Sequence, residues 1–237
     1  MKFYGGLQVW KPKRKRRFEV SGNVRIKICG VADPDDALTA VEAGADLVGV
    51  NFVPSSSRCV DIQMAKAICE AIADTSVEKV ALFQNATWDD VEHVLRRVEF
   101  DRVQFHGEET EEEVELVDLP VIKAIRGADV EAAEAYPGTL LLLDHPSEGG
   151  GKGKVWDWSE ASELIESGYD IILAGGLNPD NVGQALGDLG GVMPWGVDVA
   201  TGVEVNGRKD AAKIRAFIEA VHVAEDATHA DNLGEEN

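Results

Sequence analysis

From Val24 onward, short apolar runs alternate with amphipathic segments along the chain. The apolar runs are rich in Val, Ile and Leu, as expected of strands buried on both faces, and the segments between them have helical periodicity. The runs predict strands at residues 25–29, 46–52, 79–84, 102–106, 121–126, 139–144, 170–174 and 195–199. The segments predict helices starting at Asp33-Pro34, over 61–73, 88–97, 111–117, 130–136 and 160–167, from Pro179, and from Asp210 to about Val223.

Strands that each precede a helix predict a parallel sheet covered by helices. About eight such units in one chain favour a closed barrel over an open sheet, so the predicted fold class is α/β, a single (β/α)8 TIM barrel. Nothing in the pattern marks a second domain. We expect the barrel to be the catalytic domain over residues 24–223, with a basic, disordered extension at 1–23 and an acidic, disordered tail at 224–237.

The charge is strongly acidic, with 43 Asp+Glu against 23 Lys+Arg and a formal net charge of −20. Such a surface repels nucleic acid, although the basic run Lys11–Arg17 leaves contact with nucleic acid or anionic lipid open for the extension. No apolar run is long enough to span a membrane and no secretory pattern is seen, so we predict no membrane partner and a cytoplasmic location. The acidity suggests a halophilic adaptation; an ordinary acidic cytosolic protein is the alternative.

The three cysteines, Cys29, Cys59 and Cys69, have spacings typical of neither a disulfide framework nor a zinc site. We therefore predict no metal. Cys59 and Cys69 lie in or just before a predicted helix, where packing in the core is the simpler interpretation. Cys29 ends the first strand, and Lys27 on the same strand face could lower its thiol pKa.

Reactive or polar groups end most strands, on the face where barrel active sites form. Asp144 ends the sixth strand, Arg58 follows the second and His106 ends the fourth. A buried carboxyl held protonated would be a general acid. Each group also has a structural interpretation: Cys29 as a small buried hydrophobe, Asp144 as a helix cap, His106 as a hydrogen-bonding residue.

Two glycine-containing loops predict a phosphate site. Gly175-Gly176 follows the seventh strand, and Ala200-Thr201-Gly202 follows the eighth. Barrels often bind phosphate here through backbone N–H groups, which glycine leaves accessible, and Thr201 adds a hydroxyl.

The chain resembles the phosphoribosylanthranilate isomerases of tryptophan biosynthesis over residues 24–222. The resemblance rests on an ordered set of motifs: KICG at 27–30, GAD at 44–46, FVPSSSR at 52–58, VQFHG at 103–107, LD at 143–144, GGGKGKVWDW at 149–158, LAGGL at 173–177 with NV at 181–182, and VDVATGVE at 197–204 with KD at 209–210.

That resemblance implies a cofactor-free Amadori rearrangement. Phosphoribosylanthranilate would be converted to 1-(2-carboxyphenylamino)-1-deoxyribulose 5-phosphate. The expected partner is this small phosphosugar substrate, and the chain is expected to be a monomer or a homodimer. In the family pattern Cys29 matches the base that removes the C2′ proton, and Asp144 the acid that opens the ring. Arg58 matches the residue that meets the anthranilate carboxylate, Lys27 and His106 fall among the expected substrate contacts, and the glycine loops match the phosphate cradle.

Two departures affect single contacts. Lys152 stands where the family usually carries Thr, and the eighth loop has Ala-Thr-Gly where Ser-Ser-Gly is common. Rival functions are another phosphoribosyl-substrate barrel, including one with two substrates, and a non-catalytic phosphosugar-binding barrel. The first would use two aspartates, and the second would need neither Cys29 nor Asp144.

Overall fold

The protein is a (β/α)8 barrel, as predicted. The computed structural model describes residues 23–146 and 155–234. Eight parallel strands pair in sequence order, and the eighth closes on the first. The basic run Lys11–Arg17 and the glycine-rich segment 149–153 lie outside the described residues, so the predictions for them stay predictions.

The barrel strands are short and mostly buried; they are β1 (Arg25–Val31), β2 (Leu47–Asn51), β3 (Glu78–Phe83), β4 (Arg102–Phe105), β5 (Val121–Arg126), β6 (Leu140–Asp144), β7 (Ile171–Leu173) and β8 (Gly196–Val199). Each is followed by a helix; these are α1 (Pro34–Ala43), α2 (Ile62–Ala71), α3 (Trp88–Leu95), α4 (Glu111–Val114), α5 (Val130–Glu134), α6 (Ala161–Glu166), α7 (Val182–Gly187) and α8 (Ala211–Gly234). All sixteen correspond to predicted elements, with ends shifted by a few residues except at the end of α8.

Local chemistry sets several of the helix starts. Five helices begin after an Asp or Thr whose side chain accepts a hydrogen bond from the backbone N–H three residues on, which satisfies one of the free donors of the first turn; these are Asp33, Asp61, Thr87, Thr110 and Asp129. The first strand ends in a bulge, because Gly30 has a φ of 74°. A side chain there would collide with the stem of Arg58.

Alternation along the strands decides which side chains point into the barrel. Leu140 and Leu142 of β6 belong to the interior cluster, so Asp144, two residues further on, points inward at the carboxyl end. Lys27 on β1 and Asp198 on β8 are register partners, and Cys29 is the partner of Gly49 on β2. The opposite end of the barrel is closed by Trp195, with the guanidinium groups of Arg25 and Arg102 4.8 and 5.5 Å from its ring centroid.

The C-terminal helix differs from the prediction. From the sequence we expected it to end near Val223 and a disordered tail to follow, but α8 continues as helix to Gly234. Its extension is tied to the barrel, because the buried Glu225 carboxylate accepts a hydrogen bond from the backbone N–H of Val24 at the start of β1. The acidic composition that suggested a tail therefore belongs, over 224–234, to a helix with a buried anchor at Glu225.

Two small elements were not predicted. Thr201–Val203 forms a 3₁₀ turn after β8, and β9 (Glu204–Val205) and β10 (Arg208–Lys209) form a two-stranded antiparallel ribbon. The ribbon brings Glu204 and Lys209 together beside the eighth loop. No helix among the described residues is both long and apolar enough to cross a membrane.

Candidate active site

A pocket of about 550 Å³ opens at the carboxyl ends of the strands. Most of the predicted site residues line it: Cys29, Arg58, His106, Asp144, Gly175, Gly176, Ala200, Thr201 and Gly202. Residues at the carboxyl ends of seven of the eight strands, or in the loops after them, contribute to it, which is where barrel enzymes carry their chemistry. Among the described residues no group of three or more His, Cys, Asp or Glu side chains could hold a metal ion.

Lys27 is placed differently from the prediction. Its side chain is 1% exposed and lies below the pocket, where its Nζ donates to Asp198 Oδ1 at 2.7 Å. A direct contact between Lys27 and a substrate, expected from the sequence, is not what this geometry provides. Its role is electrostatic, because burial alone lowers the pKa of Lys27 but the Asp198 carboxylate and Cys29 raise it overall, so it remains an ammonium under the pocket floor.

Cys29 is buried at the end of β1. Burial raises the pKa of its thiol, and although the Lys27 charge lowers it, as expected from the sequence, the net shift is upward. The free enzyme therefore holds Cys29 as a thiol. Gly49 makes room for it, since a Cβ at that position would lie 3.0 Å from the Cys29 Sγ and 3.2 Å from the Lys27 Nζ.

The other two cysteines lie outside the pocket. Cys69 is buried in α2, where packing was expected, and burial raises its pKa to about 12. Cys59 is exposed, against expectation, because the segment around it bridges to Asn51 at the end of β2 and is not part of a helix core.

Asp144 is held as a carboxylate in the free enzyme. Burial raises its pKa, but the His106 Nε2 at 3.0 Å from Oδ2 and the His145 backbone N–H at 2.8 Å from Oδ1 lower it overall. A carboxyl protonated by burial, one of the two possibilities that the sequence left open for Asp144, is therefore not the state of the unliganded protein. Two donors outweigh the effect of the apolar surroundings.

Arg58 is fixed by a charge cluster that was not predicted from the sequence. Its Nε and Nη2 donate to the two carboxylate oxygens of Glu204, each at 2.7 Å, and Nη2 also lies 3.1 Å from the Thr201 hydroxyl. Lys209 Nζ donates to Glu204 at 2.7 Å and to the carbonyl oxygen of Ala200 at 3.0 Å. The KD motif at 209–210 was a signal for Lys209, but only the ribbon shows what it contacts.

The seventh loop has the geometry of an anion cradle. Gly175 and Gly176 have φ values of 80° and 81°, in the left-handed region that favours glycine. Among the described residues none accepts a hydrogen bond from either amide N–H. Trp156 and Trp158 both donate their indole N–H to the carbonyl oxygen of Ala174, at 3.0 Å each, and so brace the start of this loop.

The eighth loop packs directly on the seventh. A Cβ at Gly202 would collide with the carbonyl oxygen of Leu177, so glycine is needed where the two loops meet. The fourth loop is also braced: Lys123 Nζ donates to the Gly107 carbonyl oxygen at 2.5 Å, and the Gly107 N–H donates to Glu109 at 2.9 Å.

Fold and pocket together define the class, a (β/α)8-barrel enzyme with its site at the carboxyl ends of the strands.

Comparison with known proteins identifies the family. A family model described as N-(5′-phosphoribosyl)anthranilate (PRA) isomerase matches residues 26–220. The N-(5′-phosphoribosyl)anthranilate isomerase of Pseudomonas putida is 46% identical over 210 residues, covering 85% of this chain and 99% of that protein. That of Pseudomonas aeruginosa is 45% identical over 206 residues, covering 84% and 95%.

Solved structures agree. Phosphoribosyl anthranilate isomerase from Thermotoga maritima superimposes with a TM-score of 0.77 at 37% identity, covering 84% of this chain and 99% of that one. A phosphoribosyl anthranilate isomerase in complex with reduced 1-(o-carboxyphenylamino)-1-deoxyribulose 5-phosphate gives a TM-score of 0.73 at 35% identity, with the same coverage. The chain belongs to the N-(5′-phosphoribosyl)anthranilate isomerase family.

Proposed function

We propose that the pocket isomerises N-(5′-phosphoribosyl)anthranilate to 1-(2-carboxyphenylamino)-1-deoxyribulose 5-phosphate, with Cys29 as general base and Asp144 as general acid. Membership of the family supports the activity. The observation that carries the two roles is that Cys29 and Asp144, on strands β1 and β6, line one pocket whose other wall is the glycine cradle. A phosphosugar bound in the cradle would present its ring to both groups.

The reaction needs an acid and a base in sequence. The acid protonates the ring oxygen, so that the C1′–O bond breaks and an iminium forms between C1′ and the anthranilate nitrogen. The base then removes the C2′ proton, and the enolamine that results tautomerises to the ketone. The inward-pointing carboxyl of Asp144 serves the first step once it is protonated, and Lys27 and Lys209 lie close enough to Cys29 to favour its thiolate for the second.

The two ends of the substrate have matching partners. The amide N–H groups of Gly175 and Gly176 offer donors to the phosphate, and the loop with Ala200, Thr201 and Gly202 closes the cradle. Arg58 is held by Glu204 through Nε and Nη2, so its remaining Nη1 edge is the side available to the anthranilate carboxylate.

The test is loss of substrate fluorescence with purified protein, beside Cys29→Ala and Asp144→Asn. We expect both variants to lose at least about 100-fold in kcat, since general acid–base groups contribute about 10² to 10⁴. Cys59→Ala, which removes an exposed thiol outside the pocket, is the matched control and should keep full activity. Full activity of either pocket variant refutes its role, and no turnover by the wild type favours a non-catalytic phosphosugar-binding barrel.

Three properties of the protein belong to the proposal as well. The acidic composition suggests adaptation to concentrated salt, and a melting temperature that does not rise with KCl would contradict it. The reaction is proposed to take place in the cytoplasm. One related structure is described as monomers made from the dimeric enzyme of Thermotoga maritima; a homodimer of this chain is the alternative to a monomer, and sedimentation would distinguish them.

A further inference from the structure

A continuous hydrogen-bonded chain leads from the barrel interior to the proposed acid. The Gln104 side-chain amide nitrogen lies 3.0 Å from His106 Nδ1, and His106 Nε2 lies 3.0 Å from Asp144 Oδ2. With Nδ1 accepting from the amide, the imidazole is the tautomer that carries its proton on Nε2 and donates it to Asp144. His106 therefore touches the acid and not only the pocket.

Gln104 can serve a second protonation state of this histidine. Its side chain is 0% exposed, and its Oε1 is buried with no hydrogen-bond partner among the described residues. A half-turn of the amide would put Oε1, not the nitrogen, against Nδ1, where it would accept from a protonated imidazolium. Gln104 Oε1 is thus an unused acceptor when His106 is neutral and accepts a hydrogen bond when His106 is an imidazolium.

The acid needs a proton source in every cycle. Asp144 gives its proton to the ring oxygen, while the C2′ proton ends on Cys29, so Asp144 is a carboxylate when product leaves. The free enzyme shows it in that state, between two donors. Imidazole is the side chain that takes up and releases protons near neutrality.

We propose that His106 is a positioning residue that stores the acid proton as an imidazolium and passes it to Asp144, and that Gln104 stabilises both states of the histidine. In the step, the Nε2–H bond breaks and an Oδ2–H bond forms. That O–H bond then breaks as the ring oxygen takes the proton and the C1′–O4′ electron pair. His106 is left neutral and regains a proton from solvent.

A second cavity gives the pair access to solvent away from the phosphate cradle. It has a volume of about 360 Å³, and His106 and Asp144 line it as well as the main pocket. Its charged and titratable groups are Glu108, Lys123, Arg126, Asp129, Tyr136 and His145. On the substrate side the pair shares the pocket with Cys29, Arg58 and Asp198. The pair can therefore be reloaded while the main pocket is occupied.

This inference rests on the proposed function, and the pH profile of kcat/KM tests it. Because the thiol of Cys29 keeps its proton to higher pH than Asp144 does, the low-pH limb reports the acid pair. In His106→Gln the imidazole is gone, and only the carboxyl of Asp144, an intrinsically stronger acid, remains to hold the proton. We expect the limb to move to lower pH and the plateau to fall about 100-fold.

Two further variants keep the proposal testable if His106→Gln does not fold. Gln104→Glu puts a carboxylate against Nδ1, stabilises the imidazolium and should move the limb to higher pH, the opposite direction. His106→Ala leaves space open to the second cavity, and added imidazole should restore at least a tenth of the lost kcat/KM. His93→Gln, at an exposed position of α3, is the control and should match the wild type.

The outcomes separate the two proposals. An inactive wild type overturns the proposed function. An active wild type with an unmoved limb in both His106→Gln and Gln104→Glu, or a His106→Gln variant altered in KM alone, overturns the proton store and makes His106 a structural residue or a substrate contact. Imidazole that rescues His106→Ala supports the store, and failure of rescue with an unmoved limb contradicts it.

Discussion

The cluster around Glu204 should be highly sensitive to the loss of its negative charge. Glu204 is 6% exposed and accepts three hydrogen bonds of 2.7 Å, two from Arg58 and one from Lys209. Glu204→Gln keeps the shape but removes the charge, leaving the buried Lys209 and the partly buried Arg58 without their shared carboxylate. Removing one partner of a buried pair costs about 3–5 kcal/mol, and we expect the lower end because the amide still accepts one bond.

A loss of about 3 kcal/mol should lower the melting temperature by about 6–12 °C in a domain of this size. Thermal unfolding at constant KCl measures it. Glu92→Gln is the matched control, since Glu92 pairs with Arg96 on the surface of α3 with side-chain exposures of 40% and 71%. Exposed pairs contribute about 0–1 kcal/mol, so this variant should melt within about 4 °C of the wild type.

The pH dependence gives a second signature of the same change. Burial raises the pKa of Glu204, but Arg58 and Lys209 lower it overall. A group with a depressed folded pKa contributes stability above its unfolded pKa, which is lost as pH falls through the folded one. The wild type should therefore lose stability below about pH 4.5, and Glu204→Gln should lose less. A variant as stable as Glu92→Gln, with an unchanged acid slope, would refute the role of the cluster.

Three more outcomes are expected. Gly49→Ala should lower kcat about 10-fold with little change in KM, because its Cβ displaces the Cys29 sulfur by a few tenths of an ångström; steady-state kinetics measures it. Gly202→Ala forces the seventh and eighth loops apart and should raise the inhibition constant of inorganic phosphate about 10-fold, which competition kinetics would show. Because burial raises the pKa of Cys29, its alkylation by iodoacetamide should stay slow at neutral pH and speed up as pH rises through that pKa, and mass spectrometry of the labelled peptide would contradict this if labelling were flat with pH.

The barrel and its pocket could be predicted from the sequence because both depend on local signals. Apolar runs set the strands, Asp and Thr caps set helix starts, and the parity of residues on a strand puts Asp144 inside the barrel. The end of α8 could not be predicted in this way. An acidic, polar stretch has the same composition in a tail and in a helix held by one buried contact, here Glu225 to Val24.

Ionisation could not be read from the sequence either. The position of Lys27 two residues before Cys29 predicts the sign of its effect on the thiol pKa, but not that burial is larger. For Asp144 the burial could be predicted, but the hydrogen bonds that His106 and His145 donate to it could not, because only the folded barrel brings these residues close to Asp144. Likewise, no periodicity in the sequence predicted the pairing of the ribbon that brings Glu204 and Lys209 together.

In the free enzyme the proposed base, Cys29, carries a proton and the proposed acid, Asp144, carries none. The first chemical steps need the reverse, a protonated acid and a deprotonated base. Moving one proton from Cys29 to Asp144 turns this resting form into the competent one without changing the net charge. The fraction of the competent form is therefore independent of pH between the pKa values of Asp144 and Cys29. The low-pH limb of the profile then reports the acid, Asp144, and the high-pH limb reports the base, Cys29, which is the reverse of the usual assignment. Lys27 and Lys209 increase that fraction from the thiol side, and a proton stored on His106 would increase it from the acid side. Lys27 and Lys209 thus reduce the cost of exchanging the protonation states of two groups on different strands, whereas Asp198 and the hydrogen bonds donated to Asp144 increase it.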